Sequence, residues 1–184
     1  MLPSKSMIQA GDIVDFWREA GPSKWFRGGD DFDALCRDRL LVPHIAAARR
    51  EHDDWMGHAG GALALLLLLD QIPRNIFRGS AHAYATDPLA LHFAGQAVDA
   101  GFDQAFEPQL RAFFYLPFEH AEDLAAQDRS VQLFEAMGNA EFTRYALDHH
   151  AAIAKFGRFP HRNAALASET TPEEQEWLDA GGGW

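Results

Sequence analysis

Residues Ala62–Leu69 are eight consecutive apolar residues, and the run passes directly into Asp70, Gln71, Pro73, Arg74, Asn75 and Arg78. A bilayer crossing needs roughly 20 such residues. The stretch is therefore read as a helix buried in a protein interior, with a polar cluster attached to its end. Polar groups beside a buried helix require hydrogen-bond partners, so residues 65–79 constrain the fold and mark a candidate site together. A chain of 184 residues with 47% apolar and 23% charged residues can close one core around that helix, and a disordered or fibrous protein is excluded. The reading is one helical domain over residues 1–184, with 181–184 a flexible Gly-rich tail.

The remaining composition points the same way. The chain holds 31 Ala and 19 Leu against 14 Val, Ile and Thr together, a balance that favours helix over strand. Helix punctuation is explicit. Thr171, Pro172 and Glu174 supply a hydroxyl cap, a first-turn proline and a capping-box acid, while Asp87–Pro88 and Glu107–Pro108 open two further segments. The apolar spacing predicts helices near 11–20, 31–52, 59–78, 87–100, 108–118, 121–137, 140–156 and 172–180, with bends at Pro43 and Pro73. The fold class is all-α: about eight helices as stacked antiparallel hairpins. The first residues, MLPSKSMIQAGD, contain no apolar stretch of signal-peptide length, and the single Cys36 leaves no internal disulfide. A cytoplasmic location without membrane contact is expected.

Two basic turns stand out in this acidic chain of net charge −11. In the first, Asp70 and Arg74 are i,i+4 neighbours that can pair, while Gln71, Arg74 and Arg78 share a face and Asn75 lies beside them. Capping of carbonyls freed by Pro73 is the structural alternative. In the second, KFGRFPHRNAAL places Arg158, His161, Arg162 and Asn163 around Pro160, after a helix that Gly157 ends. If the two turns meet, Arg74, Arg78, Arg158 and Arg162 form a pocket for a phosphate or carboxylate, with His161 as a titratable donor. The alternative is that each guanidinium pairs with a local acid.

A third segment, FFYLPFEHAEDLAAQDRS, carries Glu119, His120, Glu122, Asp123 and Asp128. Glu119, Glu122 and Asp123 are read as first-turn acids favoured by a helix dipole. The spacings of zinc hydrolases and di-iron bundles are absent, and the adjacent His149 and His150 diverge on a helix, so no metal ion is expected. No cofactor is expected either: glycine-rich phosphate loops and a serine nucleophile elbow are missing, and Cys36 reads as core. The net charge opposes nucleic-acid binding. The aromatics Phe113, Phe114, Tyr115 and Phe118, with Trp17, Trp25 and Phe26, read as core.

These strings also carry a resemblance. The segments LDQIPRNIFRG with AYATD, YLPFEHAEDLAAQDRSV and KFGRFPHRNAAL, with DIVDFWREAGPSKWF and TTPEEQEWL at the ends, resemble the bacterial family catalogued as domain of unknown function 924. The resemblance covers nearly the whole chain. It implies a tetratricopeptide-like superhelical fold and no established activity or catalytic residue. Members of that family commonly carry Gly where this chain has Ala167, which bears on a turn needing positive φ. The expected function is a helical binding module. Its anionic ligand, or acidic peptide terminus, is held by Gln71, Arg74, Asn75, Arg78, Arg158, His161, Arg162 and Asn163. The alternatives are a hydrolase using His120 or His161 with Glu122, Asp123 or Asp128 as orienting acid, and a protein-interaction scaffold or homodimer built on exposed aromatics.

Overall fold

The structure is a computed structural model that describes residues 8–184, so the start of the N-terminal segment discussed above lies outside the described residues. Chain order is α1 (Ala10–Ala20), α2 (Pro22–Trp25), α3 (Gly29–Ala48), α4 (Ala59–Leu66), α5 (Ile72–Ile76), α6 (Asp87–Asp99), α7 (Pro108–Glu119), α8 (Leu124–Met137), α9 (Ala140–Phe156) and α10 (Pro172–Asp179). Short 3-10 turns join several of them, and no strand occurs among the described residues. Each expected helix is present. The one expected over 31–52 ends at Ala48, and the one expected from 121 begins at Leu124. Pro22–Trp25 is an added turn of helix. No described helix is long and apolar enough to cross a membrane.

The apolar run forms the axis of the core. Every residue from Ala62 to Leu69 is fully buried, with α1, α6 and α7 packed against α4. Trp17, Trp25 and Phe32 pack with Phe113 in an aromatic group at one end. The expected aromatic stripe is accordingly core and Cys36 is buried, but Phe26, expected there as well, is 55% exposed and only covers Trp25 and Phe113 from outside. The pair Gly60–Gly61 has a packing reason: a Cβ on Gly61 would stand 2.1 Å from the Trp55 carbonyl oxygen, so only glycine lets α4 start against that turn.

Pro73 shapes the far end of the same rod. Proline cannot donate an amide hydrogen. The chain widens into a π-turn over Leu67–Gln71 and continues into α5, so residues 59–76 are one rod. The carbonyls left over find side chains: His44 Nδ1 meets Leu68 O at 2.7 Å, Thr86 Oγ1 donates to Leu69 O at 2.5 Å, and Arg74 Nη1 donates to Asp70 O at 2.6 Å. Such π-turns are frequent at functional sites. Here it buries Asp70, Gln71 and Asn75 at the end of the core helix.

The C-terminal half wraps around that point. Gly138 and Asn139 turn the chain back between α8 and α9, which pack along each other and against α7. Gln127 on α8 donates from Nε2 to Glu119 O at 2.6 Å and Ala121 O at 2.8 Å, closing the end of α7. The Thr171–Glu174 capping box opens α10 as expected. Residues 181–184, expected as a loose tail, lie against the body: the Trp184 indole stacks on the His149 ring at 3.5 Å between centroids and 12° between planes.

Candidate functional site

Asp70 sits at the centre, 1% exposed. His120 Nδ1 donates to its Oδ1 at 2.8 Å, Gln71 Nε2 donates to Oδ2 at 2.7 Å, and Arg74 Nη1 stands 3.4 Å from Oδ1. Burial alone would raise this carboxyl, yet Arg74, His120 and Gln71 hold it well below the usual carboxylate range, so it is an anion. An ionised acceptor fixes the His120 tautomer with the proton on Nδ1, leaving the Nε2 lone pair free. Burial and the Arg74 charge lower His120, outweighing Asp70, so the ring is neutral.

A second carboxylate joins the two basic turns. Asp87 accepts a fork from Arg74, Nη1 at 2.8 Å and Nη2 at 2.9 Å, and Arg162 Nη1 lies 3.4 Å from its Oδ2. Arg162 also donates to His120 O at 3.0 Å and lies over the rings of Tyr84 and Phe159, at 4.5 and 4.6 Å to the centroids. Its Nε has no hydrogen-bond partner among the described residues, and neither has the buried Nδ1 of His161. Burial and the neighbouring Arg74 push the Arg162 guanidinium below its ordinary value despite Asp87 and Glu122.

Beyond His120 lies a third group. Glu119 is 3% exposed at the C-terminal end of α7, where helix carbonyls disfavour negative charge. It is not a first-turn acid, contrary to the sequence reading, because the next helix starts only at Leu124. Burial, with the charges of Asp70 and Asp148, raises its carboxyl to about 8. His149, also buried, approaches it with Nδ1 at 3.4 Å and meets the Tyr145 carbonyl with the same nitrogen at 2.8 Å. A carbonyl only accepts, so Nδ1 carries the proton; burial, His120 and nearby cations hold the ring neutral, at about 2. Glu119, His120 and His149 offer ligand atoms that all lie within 4.8 Å of one another. The expectation of no metal rested on spacing along one helix; here the third group comes from α9.

The eight residues assigned to one pocket divide into three places. Arg74, His161 and Arg162 belong to the centre, and Gln71 serves it through Asp70. Arg78 forks onto Asp33 with Nε at 2.7 Å and Nη2 at 3.0 Å, and Asn75 donates to the same carboxylate at 2.8 Å. Arg158 forks onto Glu174 at 2.7 and 2.8 Å, and Asn163 Nδ2 donates to Glu174 at 3.2 Å. These two clusters bind α5 to α3 and the 158–163 turn to α10. Asp87 bridges Arg74 and Arg162 beside the Tyr84 ring, and hollows lie elsewhere, at the α8–α9 turn and between α9 and the segment of Trp177 and residues 180–184.

The acids named as orienters are engaged elsewhere. Glu122 accepts from Phe159 N at 2.8 Å, Asp123 caps α8 through Ala126 N at 2.8 Å, and Asp128 meets His150 Nε2 at 2.8 Å. Of the two histidines named as bases, His120 has an orienting acid, and the acid is Asp70. Sequence reasoning missed Asp87, Tyr84, Glu119 and His149 as members of the centre. Tyr84 and Asp87 both lie in the AYATD string, and Glu119 continues the buried face of α7 four residues after Tyr115, a signal that periodicity offers.

The fold and the centre together define a class: an all-helical protein that encloses a polar, charged centre where its core helix, α7, α9 and two arginine-bearing turns meet. The chain matches the bacterial family of unknown function DUF924 over residues 13–182, and it belongs to that family. It is similar to a solved structure, the protein of unknown function ATU0120 from Agrobacterium tumefaciens, at 55% identity and a TM-score of 0.90; the match covers 94% of this chain and 97% of that one. None of the curated proteins compared with it matches.

Proposed function

We propose that this protein is a helical binding module that holds a small phosphate- or carboxylate-bearing ligand at the Arg162 end of the centre. One observation carries the reading. Arg162 is 6% exposed, its Nε has no partner, its contact to Asp87 is 3.4 Å, and its one close hydrogen bond goes to the His120 carbonyl at 3.0 Å. A buried guanidinium used so sparingly is costly unless an anion completes it. Arg74 stands beside it on the same carboxylate, so Asp87 displays how the pair grips a carboxylate group. In this reading the helical hairpins form a tetratricopeptide-like array, the protein works in the cytoplasm, and the ligand is a metabolite or an acidic peptide terminus. Nucleic acid and membranes are not partners.

Thermal shift with inorganic phosphate and with succinate at low ionic strength tests this. Either anion raises the midpoint of the wild type, Arg162→Met loses the shift, and Arg158→Met keeps it. No shift with either anion, or a shift that survives Arg162→Met, overturns the assignment.

The Asp70–His120 pair favours a second reading, hydrolysis with His120 as general base. The 2.8 Å hydrogen bond meets the geometric requirement for base and orienter. A panel of phosphate and carboxylate esters would reveal it as turnover lost in His120→Gln and kept in His150→Gln.

A further inference from the structure

We propose that Glu119, His120 and His149 bind a divalent first-row transition-metal ion through one carboxylate oxygen and two imidazole nitrogens. The three ligand atoms already lie within 4.8 Å of one another, with two of the three residues buried. Ligand atoms around tetrahedral zinc stand about 3.3 Å apart, so the widest pair closes by at most about 1.5 Å, within the reach of small side-chain rotations.

Three further observations separate this group from a chance cluster. First, both histidines are oriented as metal-binding histidines are. His120 Nδ1 donates to the Asp70 carboxylate at 2.8 Å and His149 Nδ1 meets the Tyr145 carbonyl at 2.8 Å, so each ring is anchored through Nδ1 with its electron pair on Nε2; the His149 nitrogen 3.4 Å from Glu119 is the anchored Nδ1. Second, the Glu119 side chain is 5% exposed and no hydrogen bond to its carboxyl is found among the described residues; its ion-pair neighbour is His149 Nδ1 at 3.4 Å. A carboxyl so deeply placed is ordinarily hydrogen-bonded. Third, the backbone at Glu119 is held by the Gln127 amide at 2.6 Å, so the carboxyl springs from a fixed point.

Charge of both signs acts at this end. Asp70, Asp148 and an ionised Glu119 favour a cation, while Arg74 and Arg162, which share the Asp87 carboxylate, act on the His120 and His149 rings in the opposite sense. Two imidazoles and one carboxylate suit zinc, cobalt, nickel or ferrous ion and leave coordination positions open. The metal assignment does not depend on the anion reading above.

The test is a titration of the chelator-treated full-length protein with Co²⁺, followed by its visible d–d absorption, and with Zn²⁺ by calorimetry. The expected result is one equivalent of either ion, with affinity weakened at least about 10-fold in Glu119→Gln and in His149→Gln. Asp70→Asn, which removes the carboxylate that orients His120 and also pairs with Arg74, weakens it about 10- to 100-fold in protein shown to remain folded. His150→Gln and Arg162→Met leave it unchanged. Absence of saturable binding, unchanged affinity in Glu119→Gln, or loss of binding in His150→Gln overturns the proposal. Binding that survives Arg162→Met while the phosphate shift is lost separates the two assignments.

Discussion

Asp33 and Asp87 each gather polar side chains around one carboxylate, but they leave their partners in different states. At Asp33 the account closes: Arg78 uses Nε and Nη2 in a fork and Asn75 adds a third donor. At Asp87 the Arg74 fork is complete, while Arg162 approaches at 3.4 Å with Nε unpartnered, and Glu119 with His149 lies just beyond. Matched groups brace helices. Unmatched buried groups have no structural reason to persist, and such conflicts concentrate at functional sites. The difference separates the arginines that hold the fold from the one available to a ligand.

The largest effect is expected at Asp70, a fully matched member of the centre. Asp70→Ala leaves Arg74 and His120 without their buried anion and should cost about 3–5 kcal/mol in urea unfolding; a loss below about 1 kcal/mol would mean the centre is wetter than the contacts indicate. Asp33→Ala should cost about 2 kcal/mol, the loss of a charge-assisted fork and an amide bond. The same loss in Arg162→Met would erase the contrast between brace and site.

Titration sharpens the comparison further. His149, held at about 2, and His161, at about 4, are neutral in the fold, so stability climbs with pH until their unfolded value near 6.5 is passed. Glu119 works in the opposite sense: at about 8 it holds a proton that the unfolded chain has released above pH 4.5. Between pH 6.5 and 8 it acts without the histidines, and stability should fall by up to about 1.4 kcal/mol per pH unit in metal-free protein. Glu119→Gln flattens that limb; Asp33→Asn does not. A smaller effect is expected far from either cluster. Ala167 adopts φ of 52°, so Ala167→Gly should stabilise by about 1 kcal/mol, read as a higher denaturation midpoint.

Local rules made much of the fold legible. Thr171, Pro172 and Glu174 announced α10, and Asp87–Pro88 announced α6, because caps and first-turn prolines act within one helical turn. The positive φ at Ala167 follows from the turn even without glycine. What stayed hidden depends on distant partners. Pro73 was read as a bend; it became a π-turn because His44 and Thr86, from α3 and the turn before α6, take the carbonyls it frees. Asp87 was read only as a helix start, since nothing near it in sequence announces two arginines from positions 74 and 162. Glu119 and Glu122 read as first-turn acids because Asp123, which follows them, does cap α8; Glu119 instead ends α7, and Glu122 accepts from Phe159 N. In the candidate site, Arg74, His161, Arg162 and, through Asp70, Gln71 came from the residue types alone, while Arg78, Asn75, Arg158 and Asn163 could not be told from them without knowing where Asp33 and Glu174 fall.

The most direct measurement compares Glu119→Gln with wild type in urea unfolding at pH 6.5, in the presence of a chelator. At that pH the wild-type carboxyl is neutral and the amide has nearly its shape, so a residue kept for binding contributes almost nothing to the fold. A difference within about 0.5 kcal/mol is the expected result; a loss near the roughly 2 kcal/mol assigned to Asp33→Ala would make Glu119 one more brace and contradict the account.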